Sequence, residues 1–115
     1  MQKNIYGKRS EIIASDFLKA KGYKILGINY KNKIGEIDII AQDGEYLVFV
    51  EVKARLTQGF GNPLESINVH KQQKIRNVAS IYLMQNKKMH SLVRFDAISI
   101  VGIEDLDIDH IIDAF

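Results

Sequence analysis

The sequence predicts an α/β fold, a mixed sheet flanked by helices in the order α-β-β-β-α-β-β, and three observations carry that prediction. Apolar residues recur at helical spacing near the start of the chain. Two Ile- and Val-rich runs meet at a tight-turn signal near the middle. A second helical stripe then separates those runs from two more strand-like segments. The 115 residues suit one domain spanning 1–115, long enough to bury a core of useful size.

Each element has its own signal. On a wheel at 100° per residue, Ile13, Ala14, Phe17 and Leu18 share an arc, so a helix is expected from about Ile5 to Lys21, closed by Gly22. Glu11 falls at the edge of that arc, beside Gly7. Tyr23 to Tyr30 reads as a first strand; Gly35 to Gln42 and Tyr46 to Ala54 are stronger ones, joined at Asp43-Gly44. Asn62-Pro63-Leu64-Glu65 has the cap, first-turn proline and acid of a helix start, with a break near Asn68. Ile75, Val78, Ala79 and Tyr82 mark a helix to about Asn86, and Leu92–Val101 and Ile108–Ala114 read as the last strands.

Composition narrows the function classes. Hydrophobic residues make up 46% and charged residues 26%, which is ordinary globular composition. Without cysteine, disulfides and thiolate zinc sites are excluded, and a cytoplasmic location is the expectation. No apolar run has the length of a membrane span, and the first residues lack a signal core. Net charge is only +2, but five acids and no Lys or Arg fall between Ile103 and Phe115. The rest of the chain therefore holds 16 basic against 9 acidic side chains, a balance compatible with a polyanionic partner and equally with a solvated surface.

The hairpin holds the chemistry. With Asp43 and Gly44 as the two turn residues, Asp38 faces Phe49, Glu36 faces Glu51, and Asp38 and Glu51 become diagonal neighbours. Alternation places Ile37, Ile39 and Ala41 on one face with Tyr46, Val48, Val50 and Val52. The other face has Ile40, Leu47 and Phe49 near the turn, then Glu36, Asp38, Glu51 and Lys53. Two like charges about 7 Å apart repel by on the order of 2 kcal/mol at an effective dielectric of about 20. A divalent cation reverses that sign, and an oxygen-only ligand set suits Mg²⁺ or Mn²⁺. Lys53, two residues after Glu51, projects to the same face, where its ammonium could hold a phosphate or orient an attacking water. A solvated sheet face with Lys53 neutralising the acids is the simpler alternative. It suits a peripheral strand better than one as apolar as Val48–Val52.

Gly35-Glu36-Ile37-Asp38-Ile39-Ile40-Ala41 followed by Phe49-Val50-Glu51-Val52-Lys53-Ala54-Arg55 resembles the split acidic motif of restriction-endonuclease-like nucleases. More closely, the chain resembles the YraN-like family of small bacterial proteins, related to archaeal-type Holliday junction resolvases. The likeness runs nearly end to end. It takes in Gly7 and Glu11, Gly22 to Leu26, Asn29-Tyr30, Lys71, Arg94-Phe95-Asp96, His110 and Ala114-Phe115.

The resemblance implies a restriction-endonuclease-like core, Asp38 and Glu51 as metal ligands, Lys53 as the catalytic lysine and Glu11 joining them from the first helix. It implies Mg²⁺- or Mn²⁺-dependent phosphodiester hydrolysis, with DNA, including branched or junction forms, as the expected substrate and a homodimer as the expected assembly. Glu36 is a further acid of the set or an ion-pair partner for Lys31, Lys33 or Arg55. Lys71 extends the second helix's stripe one turn back from Ile75 and either reaches the site or lies in solvent. Lys31, Lys33 and Arg55 flank the carboxylates and are candidate phosphate contacts. The Gly59-Phe60-Gly61 loop is a candidate DNA contact or an ordinary connection. Asp96 beside Arg94 reads as an ion pair, and His70, His90 and His110 as structural. The alternative function is a non-catalytic nucleic-acid-binding or assembly protein on the same fold.

Overall fold

The computed structural model describes residues 2–57 and 63–115, with side chains at 9–57 and 65–115. Two helices and five strands follow in the expected order: α1 (Gln2–Ala20), β1 (Lys24–Lys31), β2 (Glu36–Asp43), β3 (Tyr46–Arg55), α2 (Val69–Gln85), β4 (Leu92–Val101) and β5 (Asp107–Ile111). The strands lie side by side in chain order. Only β3 and β4 are parallel, and α2 is their crossover; the other three pairings are antiparallel. This is the mixed, helix-flanked α/β sheet that the sequence pattern calls for.

Local chemistry sets the helix ends. Gly22 closes α1 at φ +94°, where Tyr23 N–H donates to the Leu18 carbonyl and Gly22 N–H to that of Lys19. Asn68 caps α2, its side-chain oxygen accepting from Lys71 N–H at 2.8 Å. The helix start expected at Asn62-Pro63 is instead a single 3-10 turn over Pro63–Ser66, with Asn62 and the Gly59-Phe60-Gly61 loop outside the described residues. β5 also ends earlier than expected. The chain turns at Asp113 (φ +57°), whose N–H donates to Asp96 Oδ1, while Ala114 N–H donates to the Phe95 carbonyl.

Strand alternation divides the core between the two faces. Ala14 and Leu18 of α1 pack with Ile39, Ala41, Val48, Val50, Ile98 and Ile100. Ile75, Val78 and Ala79 of α2 pack with Ile40, Leu47, Phe49, Phe95 and Ala97. A strand pair covered by helices on both sides explains why β3 reads as an almost unbroken apolar run before Glu51.

The hairpin differs from expectation in two ways. Asp43 pairs with Tyr46, so the turn residues are Gly44 (φ +58°) and Glu45, not Asp43 and Gly44. Glycine at the first turn position accommodates this left-handed backbone just as readily. The slip is an even number of residues, so regular alternation would still assign Asp38 to the side of Glu51 and Lys53. It also changes Asp38 and Glu51 from diagonal neighbours to positions that would oppose each other directly. The second difference concerns Ile37, which packs with Ile40 under α2 rather than with Ile39. The β2–β3 ladder runs only from Asp43↔Tyr46 to Ile39↔Val50. Beyond it, Val52 N–H donates to Asp38 Oδ2 at 2.8 Å. A carboxylate thus replaces a backbone carbonyl, and β2 departs from regular alternation there.

Candidate metal and phosphate site

The site forms where β2 and β3 part, beneath the first turns of α2. β3 contributes Glu51 and Lys53, β2 contributes Asp38, and α2 contributes Lys71. Asp38 is hydrogen-bonded to Glu51 by side chain and to Val52 by backbone. Burial first, then the Glu51 hydrogen bond and charge, push the Asp38 carboxyl up to about 9. The protonated form of Asp38 is thereby favoured over the ionised one. Burial is the larger cause, and the second carboxyl group close by adds to it.

Lysines answer only part of that charge. Lys71 Nζ lies 3.2 Å from Glu51 Oε2, with Lys53 as its neighbour. Burial and the neighbouring Lys71 lower the Lys53 pKa, against the pull of Glu51 and Asp38. For Lys71, burial works against the charged form, but contacts with Lys53 and Glu51 prevail and raise the pKa. Lys71 thus reaches the site, and is the cation directly paired with Glu51.

The remaining expected residues stand further out. Glu11 of α1 is hydrogen-bonded to the Asn29 side chain, and burial raises its pKa, as do the charges of Glu36 and Glu51. It therefore feels the acidic pair without closing a triad. Among the described residues, no three His, Asp or Glu side chains form a metal-holding group. Asn29 itself adopts φ +56°, a conformation tolerated by its short polar side chain. Glu36 meets Lys31 at 3.8 Å, with both side chains more than half exposed, a contact worth little. Lys33 is exposed, and the Arg55 carbonyl accepts from Gly102 N–H at the end of β3.

An open cleft of about 250 Å³ adjoins Glu51, lined by Gly35, Glu36, Lys71, Lys74 and Ile75. Asn32 anchors its other wall. Its backbone N–H donates to the Gly35 carbonyl, its Oδ1 accepts from Ile34 N–H, and its Nδ2 donates to the Val78 carbonyl of α2. Gly35 is drawn so close to α2 that a Cβ there would lie 3.0 Å from Lys74 Cε. Lys74 was not singled out by sequence; its spacing from Lys71, one helical turn, is the signal that could have found it.

A second polar network lies on the α1 face. Arg94 Nε and Nη2 each donate to Asp96 at 2.9 Å, and Nη1 donates to Asp43 Oδ2 at 2.9 Å. Arg94 Nη2 also reaches Tyr23 Oη at 2.7 Å. His110 Nε2 contacts Asp96 Oδ2 at 2.8 Å, while Lys21 Nζ lies 2.7 Å from its Nδ1. An ammonium can only donate, so these partners assign the proton to Nε2. The ion-pair reading of Asp96 and the structural reading of His110 both hold. His70 and His90 are exposed.

Comparison with known proteins places the chain. Residues 10–100 match the model of the family described as "Uncharacterised protein family UPF0102". A UPF0102 protein of Thermodesulfovibrio yellowstonii is 48% identical over 109 residues, covering 95% of this chain and 94% of that protein. One from Dictyoglomus thermophilum is 40% identical across the full length of both chains. Another, from Caldanaerobacter subterraneus, is 43% identical over all of this chain and 98% of its own. With a match across most of its length and relatives of nearly equal extent, the chain belongs to the YraN-like family, UPF0102.

Proposed function

We propose that the protein is a divalent-metal-dependent phosphodiesterase acting on nucleic acid, with DNA, including branched forms, as the substrate class. The observation that carries this reading is the Asp38–Glu51 pair, half-buried at the β2–β3 divergence with Lys53 and Lys71 beside it. The donor set fits a hard cation: its oxygens converge, and burial together with the neighbouring carboxyl disfavours bare charge on Asp38. Asp38 and Glu51 would hold Mg²⁺ or Mn²⁺, with Glu11 behind them. When bound, such an ion supplies Lewis-acid polarisation of a phosphodiester and offsets charge developing on it.

The chain's own groups do the rest. Val52 N–H fixes the orientation of Asp38. Lys53 lies two residues beyond Glu51 on the same side of β3 and presents an ammonium suited to a non-bridging phosphate oxygen. Lys71 and Lys74 make the cleft wall positive, which suits a phosphate backbone rather than base edges. Lys31, Lys33 and Arg55 extend that charge outward.

The test is a cleavage assay with Mg²⁺ or Mn²⁺ on duplex, single-stranded, flap and four-way-junction DNA and on structured RNA. Asp38→Asn and Glu51→Gln are the controls. Cleavage lost in both variants supports the assignment, and cleavage that survives both overturns it. Salt-sensitive DNA binding without any cleavage would instead identify a binding or assembly protein on this fold.

A further inference from the structure

We infer that Lys71 is a placeholder cation: it occupies Glu51 while no divalent ion is bound and must release that carboxylate for the ion to load. The inference rests on the metal-dependent reading above and concerns how that same site is regulated. Three observations support it. Lys71 Nζ is 3.2 Å from Glu51 Oε2, although the Glu51 side chain is only 11% exposed and has few directions from which a charge can approach. Lys71 comes from α2 rather than from the hairpin, so its side chain can swing away from Glu51 with the strands of Asp38, Glu51 and Lys53 in place. Finally, the cleft beside Glu51 gives a long side chain space to swing into, with 40% of the Lys71 side chain already exposed.

One positive charge is a partial substitute for two. With Lys71 in place, Glu51 has one positive partner; a divalent ion held by Asp38 and Glu51 would take over that lysine contact. Loading is thus an exchange of cations at a carboxylate, and the lysine sets the ion concentration at which exchange occurs. Lys74 lines the same cleft with the same charge but makes no comparable approach to Glu51 among the described contacts, so it serves as an internal control.

The experiment is calorimetric titration of the full chain with Mn²⁺ alone, without nucleic acid. The variants are Lys71→Met, Lys71→Arg and Lys74→Met, each first checked for folding by circular dichroism. Lys71→Met should bind Mn²⁺ about fivefold more tightly than wild type, Lys71→Arg should match wild type, and Lys74→Met should shift far less. Binding by Lys71→Met where wild type shows none would support the inference still more strongly. Equal or weaker binding by Lys71→Met overturns the placeholder and leaves the metal-dependent reading standing, as does an equal gain in Lys74→Met, which would mark a general charge effect. If neither wild type nor Lys71→Met binds Mn²⁺, both readings fall.

Discussion

Two groups of charged side chains lie on opposite faces of one sheet, and only one of them resolves its own electrostatics. On the α1 face, Asp96 is fully buried, yet both its oxygens are engaged by Arg94, His110 and the Asp113 amide. Under α2, burial and the adjacent Glu51 raise the Asp38 pKa, and a half-exposed lysine leans in on Glu51 from a neighbouring helix. The first group fixes structure. The second brings two carboxyl groups together with lysines around only part of their charge, the arrangement on which the proposed metal-dependent reading rests. Among the described residues no buried side-chain nitrogen or oxygen lacks a partner, so the contrast lies in the sign of the partners rather than their number.

Substitutions can break or sharpen that contrast. The largest effect should come from Glu51→Gln. Cleavage should fall on the order of a thousandfold in a gel assay, with folding retained, because the developing charge loses its cation. If the variant unfolds instead, the pair is structural and the contrast disappears. Asp96→Ala should do the reverse. It leaves Arg94 with one fewer acid and the His110 ring without its acceptor, destabilising the fold by about 3–5 kcal/mol in denaturant melts.

pH should separate the two groups by the sign of its effect. Burial opposes the charged form of Asp96, but His110, Arg94 and the Asp113 amide prevail and hold its pKa below the usual 3.8. Its contribution is therefore present above about pH 4 and is lost as pH falls through the lower folded value. Asp38 runs the other way, with a folded value near 9 against 3.8. Its folded state retains an extra proton, so in the metal-free protein stability declines as pH rises from about 4 toward 9. Asp38→Asn should flatten that alkaline slope and stabilise the protein at pH 8 by about 1–3 kcal/mol in thermal melts. A slope unchanged in the variant would show that Asp38 does not hold the proton. Smallest of all should be Gly35→Ala. The added methyl meets only the flexible Lys74 side chain and Val78, so stability should remain within about 0.5 kcal/mol of wild type. A larger loss would mean the cleft wall is rigid.

Much of this was legible in the chain. Every strand and helix follows from periodicity and turn chemistry, and β4 falls on the residues that the pattern marks, Leu92–Val101. Asp38 still meets Glu51 despite the error in the expected turn, through its hydrogen bonds to Glu51 and Val52 rather than through a continued ladder. Glycine was the source of that error, since it can take either of the two turn positions. The break in alternation at Asp38 was not legible, because nothing local marks a carboxylate that replaces a strand carbonyl. The Lys71–Glu51 contact required the phase of α2, and that is set by the Asn68 cap rather than by the stronger-looking Asn62-Pro63 signal. The Lys21–His110–Asp96 chain joins residues far apart in sequence, beyond the reach of any spacing rule.

The Asn32 hydrogen bond to the Val78 carbonyl has a mechanical consequence. It fastens the turn before β2 to the middle of α2, in addition to the packing of Ile75, Val78 and Ala79 on the sheet. A translation of α2 along its axis must therefore pull on the same short turn that leads into Asp38. The helix that carries Lys71 and the strand that carries Asp38 behave as linked parts. A substitution at Asn32 that removes its side-chain amide would cut that link.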